Sequence, residues 1–416
     1  MSTRALRWVI LALLLTIGLG LVSCQPATPA AAPAEEEAAP AEEEAAPAEE
    51  EAAPAEEEAA PAEEEAAPTE EEAAPAEEEY TLENPRGLKP EAWSDEVVDC
   101  GALGLAKDPP WTIGVANYSL GNSWRVHMFA ELQYAADHDD RIEELIITNA
   151  DGNLAKQVSD IEDLMARGVD GLIVLPLSAD GIAPIVEEAY DAGFPIVIYN
   201  NEISTTKFHS IVWVDEYKFG WIGGKWLDEQ LGGEGNIVVL EGIAGTSTSD
   251  LRTRGALDAL SPGINVLARQ PADWDYAKGK AAMEDLLAAY PNIDGIYSQG
   301  GAMSQGAIEA LQAAGRPLVP VTGEGYNGFL KTWVRLLPEG FHSIGPDEPT
   351  WQSVEALNQM IACLQGETIE KWHELPLPVI TDESVEDYVF PTCPDGVWAN
   401  TKMDYETIDE IYNCEE

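Results

Sequence analysis

Two hydrophobic rhythms alternate along most of the chain. Nearly continuous apolar runs, rich in Val, Ile and Leu, occur at 111–116, 145–148, 171–175, 195–199, 236–240, 264–268, 293–297, 318–322 and 342–345. Between them, segments such as 154–167, 182–192, 278–289 and 304–314 place apolar residues three and four apart. The first pattern predicts strands buried on both faces and the second predicts amphipathic helices. Their alternation predicts an α/β fold of parallel sheets covered by helices. Gly168, Gly193 and Gly315 follow helical segments directly, where a left-handed residue ends a helix at little cost. The strands are too many for one comfortable sheet, so two are expected, the first ending near Val214 and the second near Gly345. Ligands of such open sheets sit beyond the carboxyl ends of the strands, which directs attention to the residues that follow each one.

The rhythm fails in the first eighty residues. Arg4 and Arg7 precede an apolar run at 8–22 that is short for a membrane span and has the flanks of an export signal. It closes in Leu21-Val22-Ser23-Cys24, which resembles a bacterial lipobox. The resemblance implies a lipoprotein signal peptide at 1–23 and lipidation of Cys24, with several acyl chains because one alone holds a membrane only marginally. From Ala34 to Glu79 the heptad Ala-Glu-Glu-Glu-Ala-Ala-Pro repeats, with Thr69 as a variant. A proline in every period blocks a continuous helix, and there is no apolar seam for a coiled coil. The Glu triplets repel one another, so 24–79 is expected to be an extended tether, reaching up to ~140 Å at about 3.1 Å per residue. Residues 80–109 lead into the folded unit.

Charge narrows the function classes. Setting aside the repeat's Glu triplets and the two leader arginines leaves residues 80–416 with a net charge of −35. Nucleic acid is thereby excluded as a partner, since its phosphates need Lys and Arg; the charge also favours a soluble monomer. Cys100, Cys363, Cys393 and Cys414 permit two disulfides in three pairings, and Cys393–Cys414 is favoured because it would staple a polar C-terminal extension. Their spacing fits no zinc site, and His127, His138, His209, His342 and His373 show no metal-ligand spacing and no partnered nucleophile. No metal, no cofactor and no catalysis are expected.

The residues after the strands are amides, indoles, arginines and acids. They include Asn117-Tyr118-Ser119, Asn122-Ser123-Trp124-Arg125, Asn200-Asn201-Glu202, Gln299-Gly300-Gly301 and Gly323-Glu324-Gly325-Tyr326. A sugar needs such a set: its C–H face packs on an aromatic plane while each hydroxyl takes a donor and an acceptor. Four further stretches make the pattern specific: Gly152-Asn153-Leu154-Ala155-Lys156-Gln157, Gly168-Val169-Asp170, Leu240-Glu241-Gly242-Ile243-Ala244-Gly245-Thr246-Ser247, and Gln270-Pro271-Ala272-Asp273-Trp274-Asp275. Together, over about 111–367, they resemble the ribose-binding protein family, the type I periplasmic binding proteins of ABC sugar importers. The resemblance implies two α/β lobes joined by a three-strand hinge. The N-lobe would hold 110–214 plus 347–375, the C-lobe 215–346, and 376–416 would complete the C-lobe and extend it. It also implies capture of a small polar solute outside the cell for an ABC permease and its ATPase, with a ligand sensor for a membrane receptor as the alternative. Ligand contacts would fall on Tyr118, Asn122, Trp124, Arg125, Asn200, Asn201, Arg254 and Trp274, with Gln299 and Glu324 beside them. Trp124 and Trp274 would sandwich the ring, Arg254 would donate two hydrogen bonds, and Asn122 would read a hydroxyl.

The departures count against ribose itself. Asn200-Asn201 stand where the ribose binders have an Asp-Arg pair, Gln299-Gly300-Gly301 where they have Gln-Asn-Asp, and the acid of their Gly-Phe-Asp-Gly loop is lost or displaced to Glu324. Each polar atom left unpaired in a ribose pose would cost about 1–3 kcal/mol. Gly300 and Gly301 suggest added space and a bulkier or turned ligand. A rival reading attaches to Gly323-Glu324-Gly325-Tyr326-Asn327-Gly328, a G-x-G-x-x-G with Asp347 further on, as in dinucleotide folds. It lies late in the fold, on the family's ligand loop, and in a chain bound for a compartment without nicotinamide cofactors.

Overall fold

A computed structural model of the chain describes residues 80–87 and 95–414, all within one unit spanning 76–416. The leader, Cys24 and the Ala/Glu/Pro repeat lie outside the described residues. A short strand, β1 (Val97–Asp99), precedes β2 (Trp111–Asn117), β3 (Ile142–Asn149), β4 (Gly171–Val174), β5 (Ile196–Tyr199) and β6 (Ser210–Trp213). Then come β7 (Glu234–Glu241), β8 (Gly263–Pro271), β9 (Gly295–Ser298), β10 (Val321–Thr322) and β11 (Ser343–Pro346). Three short strands follow: β12 (Thr368–Glu370), β13 (Trp372–Glu374) and β14 (Val379–Ile380).

Twelve of these form two six-stranded sheets, ordered β13-β6-β5-β4-β2-β3 and β14-β11-β10-β9-β7-β8. The first is parallel throughout, and the second is parallel except at its edge, where β14 runs against β11. Strands such as β4 and β5 are buried at every position, as two-sided coverage by helices requires. The expected runs coincide with strands, although 318–322 keeps its ladder only at Val321–Thr322. They omit β6, a four-residue strand whose apolar signal is diluted at its start by His209 and Ser210.

The chain crosses between the sheets three times: after β6, after β11, and between β13 and β14. The crossings hold one another. Asp347 N–H donates to Pro378 O at 2.9 Å and Leu375 N–H to Trp213 O at 2.8 Å. β1 pairs antiparallel with β12, and Cys100–Cys363 staples this pair to the helix Gln352–Leu364. Cys393–Cys414 is the second disulfide, as favoured from the sequence.

One helix pair matters for the site. The helices Glu216–Leu231 and Ser247–Asp258 approach so closely that a Cβ on Gly220 would stand 1.9 Å from Arg252 O, and one on Gly255 2.0 Å from Tyr217 O. Only glycine permits this contact, and it brings Arg252 beside Glu216 at the first turn of the neighbouring helix.

Candidate functional site

The carboxyl ends of the two sheets face each other across a space of about 320 Å³, its open mouth included. Asn122, Trp124, Arg125 and Asn200 line it from the first sheet's side; Thr248, Arg252, Trp274 and Glu324 line it from the second. Glu348 enters from the second crossing and Trp398 from the C-terminal extension.

Arg252 is the electrostatic centre. It is 1% exposed. Its Nε meets Glu216 at 2.6 Å, its Nη2 meets Glu348 at 2.7 Å, and its Nη1 meets Glu324 at 3.4 Å and donates to Gln299 O at 2.9 Å. The guanidinium also lies 3.6 Å from the centre of the Phe219 ring. Burial alone would lower the arginine's pKa, but the three carboxylates outweigh it and raise it. One cation does not satisfy three buried acids. Burial, opposed by Arg252 and reinforced by Glu348, holds Glu216 and Glu324 well above the usual carboxylate range. Glu348 also accepts from Asn200 Nδ2 at 2.6 Å and from Gln352 Nε2 at 2.8 Å, so one carboxylate joins both lobes and a crossing.

On the opposite wall, Arg125 sits in the first turn of the helix Ser123–Asp137. It lies 4.1 Å from the centre of the Tyr118 ring and donates through Nη2 to the Tyr118 hydroxyl. Its Nε and Nη1 have no protein partner, and neither does Trp274 Nε1. Buried donors without partners are costly, so these are the groups a bound acceptor would satisfy. Asn122 Oδ1 caps the same helix by accepting from Arg125 N–H at 3.0 Å, which leaves the amide NH2 to read a ligand.

Two lining residues hold left-handed backbone, Asn200 at φ 65° and Trp274 at φ 54°. Such conformations cost free energy outside glycine and cluster at functional sites. The Trp274 indole is seated against Gly242, where a Cβ would fall 2.0 Å from the ring.

The sequence-derived set therefore divides. Asn122, Trp124, Arg125, Asn200, Trp274 and Glu324 meet around the space. Tyr118, Asn201 and Gln299 stand behind it. Asn201 donates to Pro176 O and accepts from Thr248 Oγ1 at 2.8 Å, a direct bond between the lobes. Gln299 accepts from Gly242 N–H and Ser249 Oγ and donates to Ser249 O and Thr253 Oγ1, so its amide is fully engaged within the protein. Arg254 does not belong to the group. It is exposed and stands over the Tyr217 ring at 5.3 Å, while Arg252 occupies the place expected for it. The helix explains why: its buried stripe runs through Thr248, Ser249, Arg252, Thr253, Gly255 and Ala256, and Arg254 falls off it. That stripe was available in the sequence as a spacing of three and four.

Gly300 and Gly301 do not add room. A Cβ on Gly300 would lie 2.7 Å from the Trp274 ring, and one on Gly301 2.4 Å from Glu324 O, so the protein's own groups fill the space. The dinucleotide reading fails similarly. Cβ positions on Gly325 and Gly328 fall 2.3 Å from Asp347 Oδ1 and 2.2 Å from Gln305 Oε1, where a pyrophosphate would have to lie. Trp398, Thr248 and Glu348 were not foreseen. The first lies in a segment without periodicity, the second is an ordinary helical Thr by pattern, and the third sits two residues beyond the end of β11, in a stretch with no repeat to mark it.

Residues 113–368 match the family model described as periplasmic binding protein domain. The ribose import binding protein of Bacillus subtilis is 27% identical over 273 residues, covering 66% of this chain and 88% of that one. The xylitol-binding protein of Mycolicibacterium smegmatis is 30% identical over 246 residues, covering 58% and 70%. Among solved structures, the fructose-binding periplasmic domain of a hybrid two-component system superposes with TM-score 0.60 at 27% identity, covering 67% of this chain and 92% of that one. A solute-binding protein of an Actinobacillus succinogenes ABC transporter, with bound D-allose, gives 0.58 at 26%, covering 67% and 99%. The chain belongs to the periplasmic binding protein family, in the type I, two-lobed branch that includes the ribose-binding proteins.

Proposed function

We propose that this protein captures a monosaccharide or polyol outside the cell membrane, closes its lobes on it, and presents it to an ABC importer, held at the membrane by a lipid on Cys24. The observation that carries the reading is the chamber: an indole from each lobe, Trp124 and Trp274, with an Arg252-centred acid cluster and unpartnered N–H donors between them. Indoles suit C–H faces and the polar groups suit hydroxyls. The lobes are bonded directly, Thr248 Oγ1 to Asn201 and Glu202 N–H to Ser247 Oγ, the arrangement of a closed state selected by a ligand that both lobes touch. Arg252 occupies the place first given to Arg254, with its donors engaged by Glu216, Glu324, Glu348 and Gln299 O, and the departures from the ribose pattern favour a solute other than ribose.

A second reading has one specific support. The likeness to a fructose-binding domain of a hybrid two-component system favours a sensor that hands its closed state to a membrane receptor. Closure on a sugar is common to both readings.

The test is a thermal-shift panel on the full chain with D-ribose, D-allose, L-arabinose, D-fructose, xylitol and myo-inositol. A specific ligand at about 100 times its Kd should stabilise the fold by about 2.7 kcal/mol. A melting temperature unmoved by the whole panel overturns the sugar reading.

A further inference from the structure

The family match ends at residue 368, yet a wall of the chamber comes from Trp398. This residue lies in the loop closed by Cys393–Cys414 and is 1% exposed. The loop is fastened to both lobes. On one side, Asn327 N–H donates to Val397 O at 2.9 Å and Ala399 N–H to Gly325 O at 2.8 Å. On the other, Trp398 Nε1 donates to Ser123 Oγ at 3.2 Å and Lys402 N–H to Glu131 at 2.7 Å, both on the helix Ser123–Asp137. The loop also meets the second crossing, where Asn400 Nδ2 donates to Asp347 O at 2.7 Å.

We propose that this C-terminal strap is a working part of the binding site. Trp398 is a specificity-determining residue, and the strap latches the lobes in the closed state. The indole's one donor is committed to Ser123, so only ring carbon faces the chamber. It therefore selects a ligand whose near edge is C–H rather than hydroxyl, and it walls the chamber on that side. Because the strap is bonded to both lobes, parting them must break its bonds on one side, and the bond from Trp398 to Ser123 is among those that hold the closed state and slow release. The proposal rests on the sugar-binding reading.

The experiment titrates the same six sugars and polyols into the full chain as wild type, Trp398→Ala, Trp398→Phe and Ser123→Ala, by calorimetry and by ligand-release kinetics. Trp398→Ala should weaken the best wild-type ligand about tenfold, the worth of one good aromatic contact, and Trp398→Phe should recover most of it. Ser123→Ala should speed release about threefold to tenfold with association little changed. If Trp398→Ala does not fold, Trp398→Phe and Ser123→Ala carry the test: an unaltered ligand ranking and release rate overturn the proposal. Wild-type binding with all variants unchanged also overturns it while leaving the functional reading intact. A wild type that takes none of the probes overturns both.

Discussion

Three buried carboxylates around one guanidinium form a site that cannot lose its cation quietly. Arg252 donates to Glu216, Glu324 and Glu348 from a position closed to solvent, and Phe219 covers one face of the guanidinium. Removing one partner of a buried ion pair typically costs about 3–5 kcal/mol because the remaining charge has no water to turn to. Arg252→Gln should therefore lower stability by about that much and abolish sugar binding. Arg254→Gln should leave stability within about 0.5 kcal/mol and binding near wild type, as for an exposed side chain. Urea melts and calorimetry on both variants check this, and comparable binding losses from the two would return Arg254 to the site. The contrast also marks what the sequence could convey. Both arginines stand in Arg252-Thr253-Arg254, and a motif alone does not say which one turns inward; the helical spacing from Ser249 to Ala256 does. Trp124 and Trp274 were legible because each follows a strand inside a specific motif. Trp398 was not, because a long irregular loop has no period from which its direction can be read.

The crossings between the sheets are short, and one contains an acid with an unusual environment. Asp347 is fully buried, accepts from Gly325 N–H at 3.0 Å through one carboxylate oxygen, and leaves the other without a protein partner. Burial, opposed by that hydrogen bond and by Arg252 and reinforced by Glu348, pushes its pKa up from 3.8 to about 7. The folded state then keeps a proton that the unfolded chain releases above 3.8. Between pH 4 and 7 the folded form binds more protons, so this group's contribution to stability falls as pH rises through that window. Asp347→Asn should flatten the decline, with the variant gaining relative to wild type as pH goes from 4 to 7. Melting temperatures at intervals across that range decide it, and parallel curves would count against the assignment. The central strands and their helices were plain in the apolar rhythm, since burial on both faces leaves no polar interruption in strands such as β4 and β5. β13 and β14, which bring the chain to and from the third crossing, have three and two residues. Pairing with a neighbouring strand creates them, so no local pattern announces them.

At the scale of the whole chain, the proposed function makes binding and attachment separate properties carried by different segments. Residues 80–416 have a net charge of −35. A surface of that sign is repelled by anionic headgroups, where each basic residue would have contributed about 1 kcal/mol of attraction. The Glu triplets of the repeat add to the repulsion. The proposed attachment through Cys24 needs two or more acyl chains, because a single chain binds with an association constant of only ~10⁴ M⁻¹. Cys24→Ala in the exported full chain should move the protein from the membrane fraction to the soluble fraction. The sugar that stabilises the wild type should still stabilise the variant by the same amount, because the residues lining the chamber lie between Asn122 and Trp398. Fractionation after a high-salt wash, followed by a melt with and without that sugar, measures both halves. Retention of Cys24→Ala on the membrane would mean that another segment holds the chain there. Release accompanied by loss of binding would mean that the anchor and the lobes are coupled in a way their separate chemistry does not require.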